Sequence, residues 1–289
     1  MSLYTNKINP SKFEKNQLKF YAYLIPIALF MVLPIIYIFC HAFKPMDELF
    51  AFPPQFLVHK PTMDNFKNLF ATAKTSGIPA SRYAFNSFVV TVAVVVISIV
   101  ISTMAGFALS KLKFRGKKVL FEVNNIALMF VPVAVTIPLY LTINALGITN
   151  TYLAHILPLV AMPVGLFLVK QFIDQIPDSL IEAAYIDGAE EFLIYRKIII
   201  PLIRPAIATT TILAFQSVWN NLQTSQLYVT SDGLKTLTFY MNTLASANNT
   251  VAGQGMSAAA ALMMFIPNLI LFIILQSSVM NTMAHSGLK

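Results

Sequence analysis

The sequence is short of charge. Only 11% of its 289 residues are charged, against 57% hydrophobic, and the mean hydropathy is +0.69. A soluble domain carries about 25% charged residues, so a water-facing fold would leave broad apolar faces bare. The same composition excludes disorder. Cysteine is nearly absent: Cys40 stands alone in an apolar run, which forbids an internal disulfide and reads as a small hydrophobe. No P-loop pattern G-x-x-x-x-G-K-[S/T] occurs, so this chain is not expected to bind nucleotide itself. No His, Cys or Ser constellation converges as a catalytic set, and no metal-binding pattern stands out. The expectation is a non-enzymatic chain with no catalytic residues, metal or cofactor of its own. A cleavable leader is not expected either, because the first apolar run follows a polar arm (Lys7, Lys12, Lys15, Lys19) and lacks a small-residue cleavage site.

Long apolar runs are what the sequence does have. A helix needs about 20 apolar residues to cross about 30 Å of hydrocarbon. Six stretches qualify: about 20–43, 84–110, 119–145, 152–169, 205–226 and 258–280. Their single carboxylate, Glu122, sits at an edge, and no Lys or Arg lies deep in any of them. Pro132, Pro138, Pro158, Pro163 and Pro267 are expected to kink or loosen the helices, which membrane bundles tolerate. The fold class is therefore all-α: a polytopic membrane protein with one transmembrane domain over 20–289, preceded by an arm over 1–19.

The net charge of +8 supplies the orientation. With the N-terminus inside, 14 of the 20 Lys+Arg fall on inner segments, the densest being Lys111, Lys113, Arg115, Lys117 and Lys118. That short cluster is a topology anchor, so both termini are expected in the cytoplasm, with membrane lipid rather than nucleic acid as the basic surface's neighbour. The outer connections are then a long Pro-rich one from Lys44 to Arg82, a short one at 147–151 and a polar one over 227–257.

The inner segment 170–204 is too long for a plain connector, which runs about 2–8 residues. It holds six of the 12 acidic residues: Asp174, Asp178, Glu182, Asp187, Glu190 and Glu191. Pro177-Asp178-Ser179 reads as a helix start with Asp178 or Ser179 as cap. Gly188 reads as its stop, and a second helical stretch leads to Pro201. Ala183 and Ala184 leave little bulk, so another protein's surface can come close. A short amphipathic helix edged by carboxylates suits docking into a partner's groove, and its acids would be repelled by anionic lipid.

Glu182-Ala183-Ala184, then Gly188, then Ile198, Ile200 and Pro201 resemble the EAA motif of binding-protein-dependent ABC importer permeases. That pattern reads EAA, three residues, G, nine residues, I-x-L-P; the one departure is Ile200 for Leu. The rest of the chain is similar to the MalG-like carbohydrate branch. The likeness rests on PPQFL (Pro53–Leu57), PTMDNF (Pro61–Phe66), Asn86-Ser87, VPVAVTIPLY (Val131–Tyr140), LGITNT (Leu146–Thr151), Trp219-Asn220 and the tail MAHSGLK (Met283–Lys289).

The resemblance implies half of a translocation pathway in a bacterial cell membrane. The partners would be a second permease subunit, two cytoplasmic ATPase subunits that bind ATP and Mg, an extracellular solute-binding protein and a carbohydrate, oligosaccharides foremost. It implies a cytoplasmic coupling helix between spans 4 and 5, with Glu182, Ala183, Ala184, Asp187 and Gly188 docking the ATPase and both alanines in its groove. It places a binding-protein contact in 227–257, where Asn242, Asn248, Asn249, Thr250 and Gln254 are the polar candidates. For the substrate path, an aromatic face beside amides points to Gln216, Trp219, Asn220, Asn221 and Gln223, against interhelical or interfacial roles for the same residues. The alternative, an ion-coupled secondary carrier, would want a deep carboxylate or His. The spans offer only Glu122 and His155, near their ends, and inverted repeats are not evident.

Overall fold

A computed structural model describes residues 17–74, 77–247 and 251–286, and within them the chain is helical throughout, with no strand. Helix α1 (Gln17–Phe43) is followed by the short α2 (Met46–Leu49), α3 (Asp64–Lys74) and the long α4 (Ala80–Lys111). Then come α5 (Lys117–Ala127), α6 (Thr136–Ala145), α7 (Tyr152–Val160), α8 (Pro163–Asp174), α9 (Asp178–Ile186) and α10 (Glu191–Ile194). A π-helical turn (Tyr195–Ile199) leads into α11 (Ile200–Leu202), α12 (Arg204–Trp219) and α13 (Gln223–Leu227). A 3-10 turn (Asp232–Leu234), α14 (Leu237–Ala247) and α15 (Val251–Ser286) complete the chain.

Three helices, α1, α4 and α15, are each long and apolar enough to cross a membrane, and the number rises to five if each bent pair counts as one span. The pairs are α7 with α8, bent by 42°, and the segment Glu191–Leu202 with Arg204–Leu227, bent by 79°. The expected third span, 119–145, is not one helix. Residues 128–135 form turns between α5 and α6, because Pro132 cannot donate a helical hydrogen bond and restricts Val131 before it. Residues 161–162 interrupt the fourth span ahead of Pro163, and 220–222 interrupt the fifth.

The central helix is α4, packed along α7, α8, α12 and α14. Its pattern is the inverse of a soluble helix. Buried positions include Asn86, Ser87, Thr91, Ser98, Ser102 and Thr103, while Phe88, Val92, Val96, Val100 and Ile101 are exposed. Small and polar residues between helices with aliphatics outside are what lipid as solvent demands. Gly106 and Gly165 allow close approach: a Cβ on Gly106 would lie 2.9 Å from Val169 Cγ1, and one on Gly165 would lie 2.9 Å from Thr210 Cγ2.

The described part of the connection from Lys44 to Arg82 is folded, not loose. Asn65 donates to the carbonyls of Ala42 (3.0 Å) and Lys44 (2.8 Å), satisfying the free end of α1. Glu48 accepts the backbone N–H groups of His59 and Lys60, and the buried Lys44 ammonium donates to the Gln55 carbonyl.

Candidate coupling helix and translocation path

Helix α9 carries the acid-rich motif. Pro177 precedes its first turn, and Asp178 is its first residue. The expected side-chain cap does not form. Asp178 Oδ1 instead accepts from Lys111 Nζ at 2.6 Å, and the same ammonium donates to the Ile176 carbonyl at 2.6 Å. A charged donor 67 residues away outcompetes the local cap. The Lys111 hydrogen bond and charge hold the Asp178 carboxyl below the usual carboxylate range.

The far end of α9 closes with a two-bond Schellman cap. Ala189 N–H donates to Ala184 O (2.9 Å) and Gly188 N–H to Tyr185 O (3.0 Å). Gly188 has φ +79°, a region costly for any residue with a Cβ. So Gly188 is the chain reversal that the spacing predicted.

The two alanines part company, which corrects the expectation that both enter a partner's groove. Ala184 is buried with Ile181 among Ile173, Ile176, Ile194 and Ile199. Ala183 is exposed. Ile181 and Ala184, three residues apart, share the inward face, and Ala183, about 100° round from Ala184, falls on the outward one. Glu182, Asp187 and Gly188 are exposed with Ala183, and Ile186 beside them is 87% exposed. Among the described residues neither Glu182 nor Asp187 has an ion-pair partner.

The breaks in the third, fourth and fifth spans meet around a cavity of about 650 Å³. Its polar wall is Thr136, Ser217, Asn221, Gln223 and Thr224; Phe130, Met162 and Tyr228 are among its apolar wall. Of the five path candidates, Asn221 and Gln223 line it. Gln223 donates to Thr136 (2.9 Å), and Asn221 accepts from Thr224 N–H (2.9 Å). Gln216, Trp219 and Asn220 do not line it. The Trp219 indole N–H donates to the Met264 carbonyl (3.1 Å), and its ring stacks on Phe215. Asn220 donates to Gln216 O (3.1 Å) and accepts from Asn268 (3.2 Å). These three tie α12 to itself and to α15.

In the connection 227–257, the described stretch 227–247 is folded, with α14 packed rather than solvated all round. Leu237, Tyr240, Met241 and Leu244 bury one face of α14 against Tyr83, Leu69 and Ala259. Asn242 projects from the exposed face. Gln254 borders a hollow of about 370 Å³ with Tyr37, Lys44 and Gln55. Asn248, Asn249 and Thr250 lie outside the described residues.

A buried polar knot beneath α14 escaped the sequence reading. His155 is fully buried; its Nδ1 meets Thr224 Oγ1 (2.8 Å) and its Nε2 meets the Leu234 carbonyl (3.1 Å). That carbonyl can only accept, so Nε2 carries a proton and donates to it. Asn86, also fully buried, donates to Gly233 O and Lys235 O (both 2.9 Å) and accepts from Tyr152 Oη (2.6 Å). The signal in sequence was a polar residue inside an apolar run.

Comparison with known proteins follows the same lines. Residues 98–279 match the family described as "Binding-protein-dependent transport system inner membrane component". The chain is 31% identical over 271 residues to the arabinooligosaccharides transport system permease protein AraQ of Halalkalibacterium halodurans, covering 91% of this chain and 93% of that one. It is 26% identical over 262 residues to the trehalose transport system permease protein SugB of Mycobacterium tuberculosis, covering 90% and 93%. Its fold matches a chain from the crystal structure of a bacterial ABC transporter involved in the import of the acidic polysaccharide alginate. The TM-score is 0.75 at 24% identity, over 93% of this chain and 99% of that one. The chain belongs to the binding-protein-dependent transport system inner membrane component family, as a multi-pass, non-catalytic permease subunit of an ABC importer.

Proposed function

We propose that this subunit forms half of a carbohydrate pathway and is driven through α9 by ATPase subunits that hold ATP and Mg. A carbohydrate, and an oligosaccharide above all, is supported by relatives named for arabinooligosaccharides and trehalose. A second permease subunit would complete the pathway, two ATPase subunits would grip α9 from the cytoplasm, and a solute-binding protein would deliver sugar outside. The topology is six spans with both termini inside, the third span being the interrupted pair α5–α6. The basic run Lys111–Lys118 supports that orientation.

The observation that carries the reading is the outward face of α9. Glu182, Ala183 and Ile186 are exposed together, on a helix whose other face is fastened by Ile181 and Ala184 and whose end is locked by Gly188. A displaced partner surface would move such a helix as a rigid piece. Asn221 and Gln223 at the cavity are the sugar-contact candidates, since amides beside an apolar wall suit hydroxyl groups; Trp219 serves packing.

The test is labelled-oligosaccharide uptake by cells carrying Glu182→Lys or Gly188→Pro. Both variants are expected to reach the membrane with uptake collapsed and to leave the ATPase subunits loosely held or uncoupled. Normal uptake with both changes removes the coupling assignment.

A further inference from the structure

We infer that α4 is the strut linking the ATPase-facing helix α9 to the outer helix α14, with Lys111 and Asn86 as the positioning residues that clamp its two ends. The inference rests on the coupling role proposed for α9 and adds the route by which its displacement travels.

The α9 end of the strut has three fixings. Lys111, whose side chain is 7% exposed, grips both the Asp178 carboxylate and the Ile176 carbonyl at the start of α9. Phe107 packs in the cluster that buries Ile181 and Ala184. Thr103 Oγ1 lies 2.8 Å from Tyr195 Oη in the π-helical turn beyond α9. The helix α9 is therefore tied to α4 both before and after its own sequence.

The α14 end is tied as firmly. Asn86 Nδ2 donates to the Gly233 and Lys235 carbonyls, and Arg82 Nε also donates to Gly233 O at 3.2 Å. Ser87 Oγ accepts the N–H of Leu237, the first residue of α14, at 2.7 Å. The Tyr83 ring stacks on Tyr240 of α14, with centroids 4.2 Å apart and planes 5° apart.

Between these ends lies a 32-residue helix without proline, about 48 Å at 1.5 Å per residue. An unbroken hydrogen-bonded rod passes on axial and tilting motion, whereas two of the elements packed along it, α7–α8 and α12–α13, are interrupted. Neither Asn86 nor Lys111 lines the cavity, and Lys111 reaches α9 only at its first residue, Asp178, so their part is to hold partners in place.

The experiment uses the complex purified through a tag on this chain, in a Cys40→Ser background. Spin-label pairs run from Phe30→Cys on α1 to Glu190→Cys beside α9, or to Asn242→Cys on α14. Distances are measured with and without ATP plus vanadate. In the otherwise unchanged protein both distances are expected to shift. With Asn86→Leu the Asn242 shift is expected to vanish while the Glu190 shift stays. With Ser87→Ala, a milder change in case the first fails to assemble, the Asn242 shift is expected to shrink. With Lys111→Met both the Asn242 shift and sugar uptake are expected to fall, and Lys111→Arg is expected to restore them. An Asn242 shift that survives both Asn86→Leu and Lys111→Met, or is absent from the start while Glu190 moves, overturns the strut and leaves the coupling role intact. A Glu190 label that stays still overturns both.

Discussion

Helix α4, like α1 and α15, runs unbroken, from Ala80 to Lys111, whereas three other apolar stretches are cut: α5 from α6 at 128–135, α7 from α8 at 161–162, α12 from α13 at 220–222. The cuts face one another across the cavity of about 650 Å³. Irregular backbone inside a membrane survives only where protein or a polar cavity satisfies it, and here Thr136 donates to the Pro132 carbonyl (3.2 Å) and Asn221 accepts the Thr224 N–H (2.9 Å). Continuity and interruption thus divide the labour: the rod transmits, and the broken helices make room for a solute. The division is visible in side chains too. The buried stripe of α4 includes the small or polar Asn86, Ser87, Thr91, Ser98, Ser102, Thr103 and Gly106, suited to close helix contact, while Pro132 and Pro163 mark the first two breaks.

The harshest way to break this comparison is to make α4 resemble its neighbours. Val96 is exposed, so Val96→Pro removes little packing and acts through the backbone. It is expected to cost about 3 kcal/mol or more, seen as loss of assembled complex on size exclusion. Val96→Ala is the near-neutral control. Assembly and uptake surviving the proline would mean continuity of α4 is unimportant.

A smaller effect separates two kinds of glycine. At Gly106 the obstacle is space, since Val169 is fully buried and its Cγ1 would sit 2.9 Å from an added Cβ. Gly106→Leu is expected to destabilise by about 1–3 kcal/mol through overpacking. At Gly188 there is open space but a left-handed backbone. Gly188→Ala is expected to cost about 1–2 kcal/mol, and Gly188→Asn less, because Asn tolerates that region. Thermal midpoints in detergent should therefore rank Asn above Ala at 188. Equal loss for Ala and Asn would mean that contacts, not the backbone, dominate there.

Much of this was legible from residues. Apolar run length located α1, α4 and α15, and the spacing from Glu182 to Pro201 located α9 and its reversal at Gly188. The split between Ala183 and Ala184 was also readable, because Ile181 lies three residues before Ala184 on the same helical face. The breaks were less so: Pro132 and Pro138 signalled a loosened helix, but hydropathy cannot distinguish a kinked span from one interrupted over eight residues. Long-range partners were not readable at all. Lys111 takes Asp178 away from capping, Met264 takes the Trp219 indole, and Gly233 takes Asn86, each across a distance in sequence that no local pattern encodes.

The smallest expected effect concerns the inner clamp of α4, and pH exposes it. Lys111 lowers the Asp178 carboxyl below its ordinary value near about 3.9. A depressed carboxyl stabilises the folded form above its unfolded value and loses that contribution as pH falls through the folded value. Asp178 is exposed, so the contribution is modest. Comparing thermal midpoints of the unchanged protein and Asp178→Asn should show a small gap at pH 7 that persists at pH 5. It should narrow as pH falls below the ordinary value of about 3.9 and close once pH is below the depressed folded value, where Asp178 is protonated in both states. Lys111 would still hold the Ile176 carbonyl through that range, so α9 should stay docked while the ionic half of the grip is lost. A gap unchanged down to pH 3 would show that charge plays no part in fastening α9 to α4.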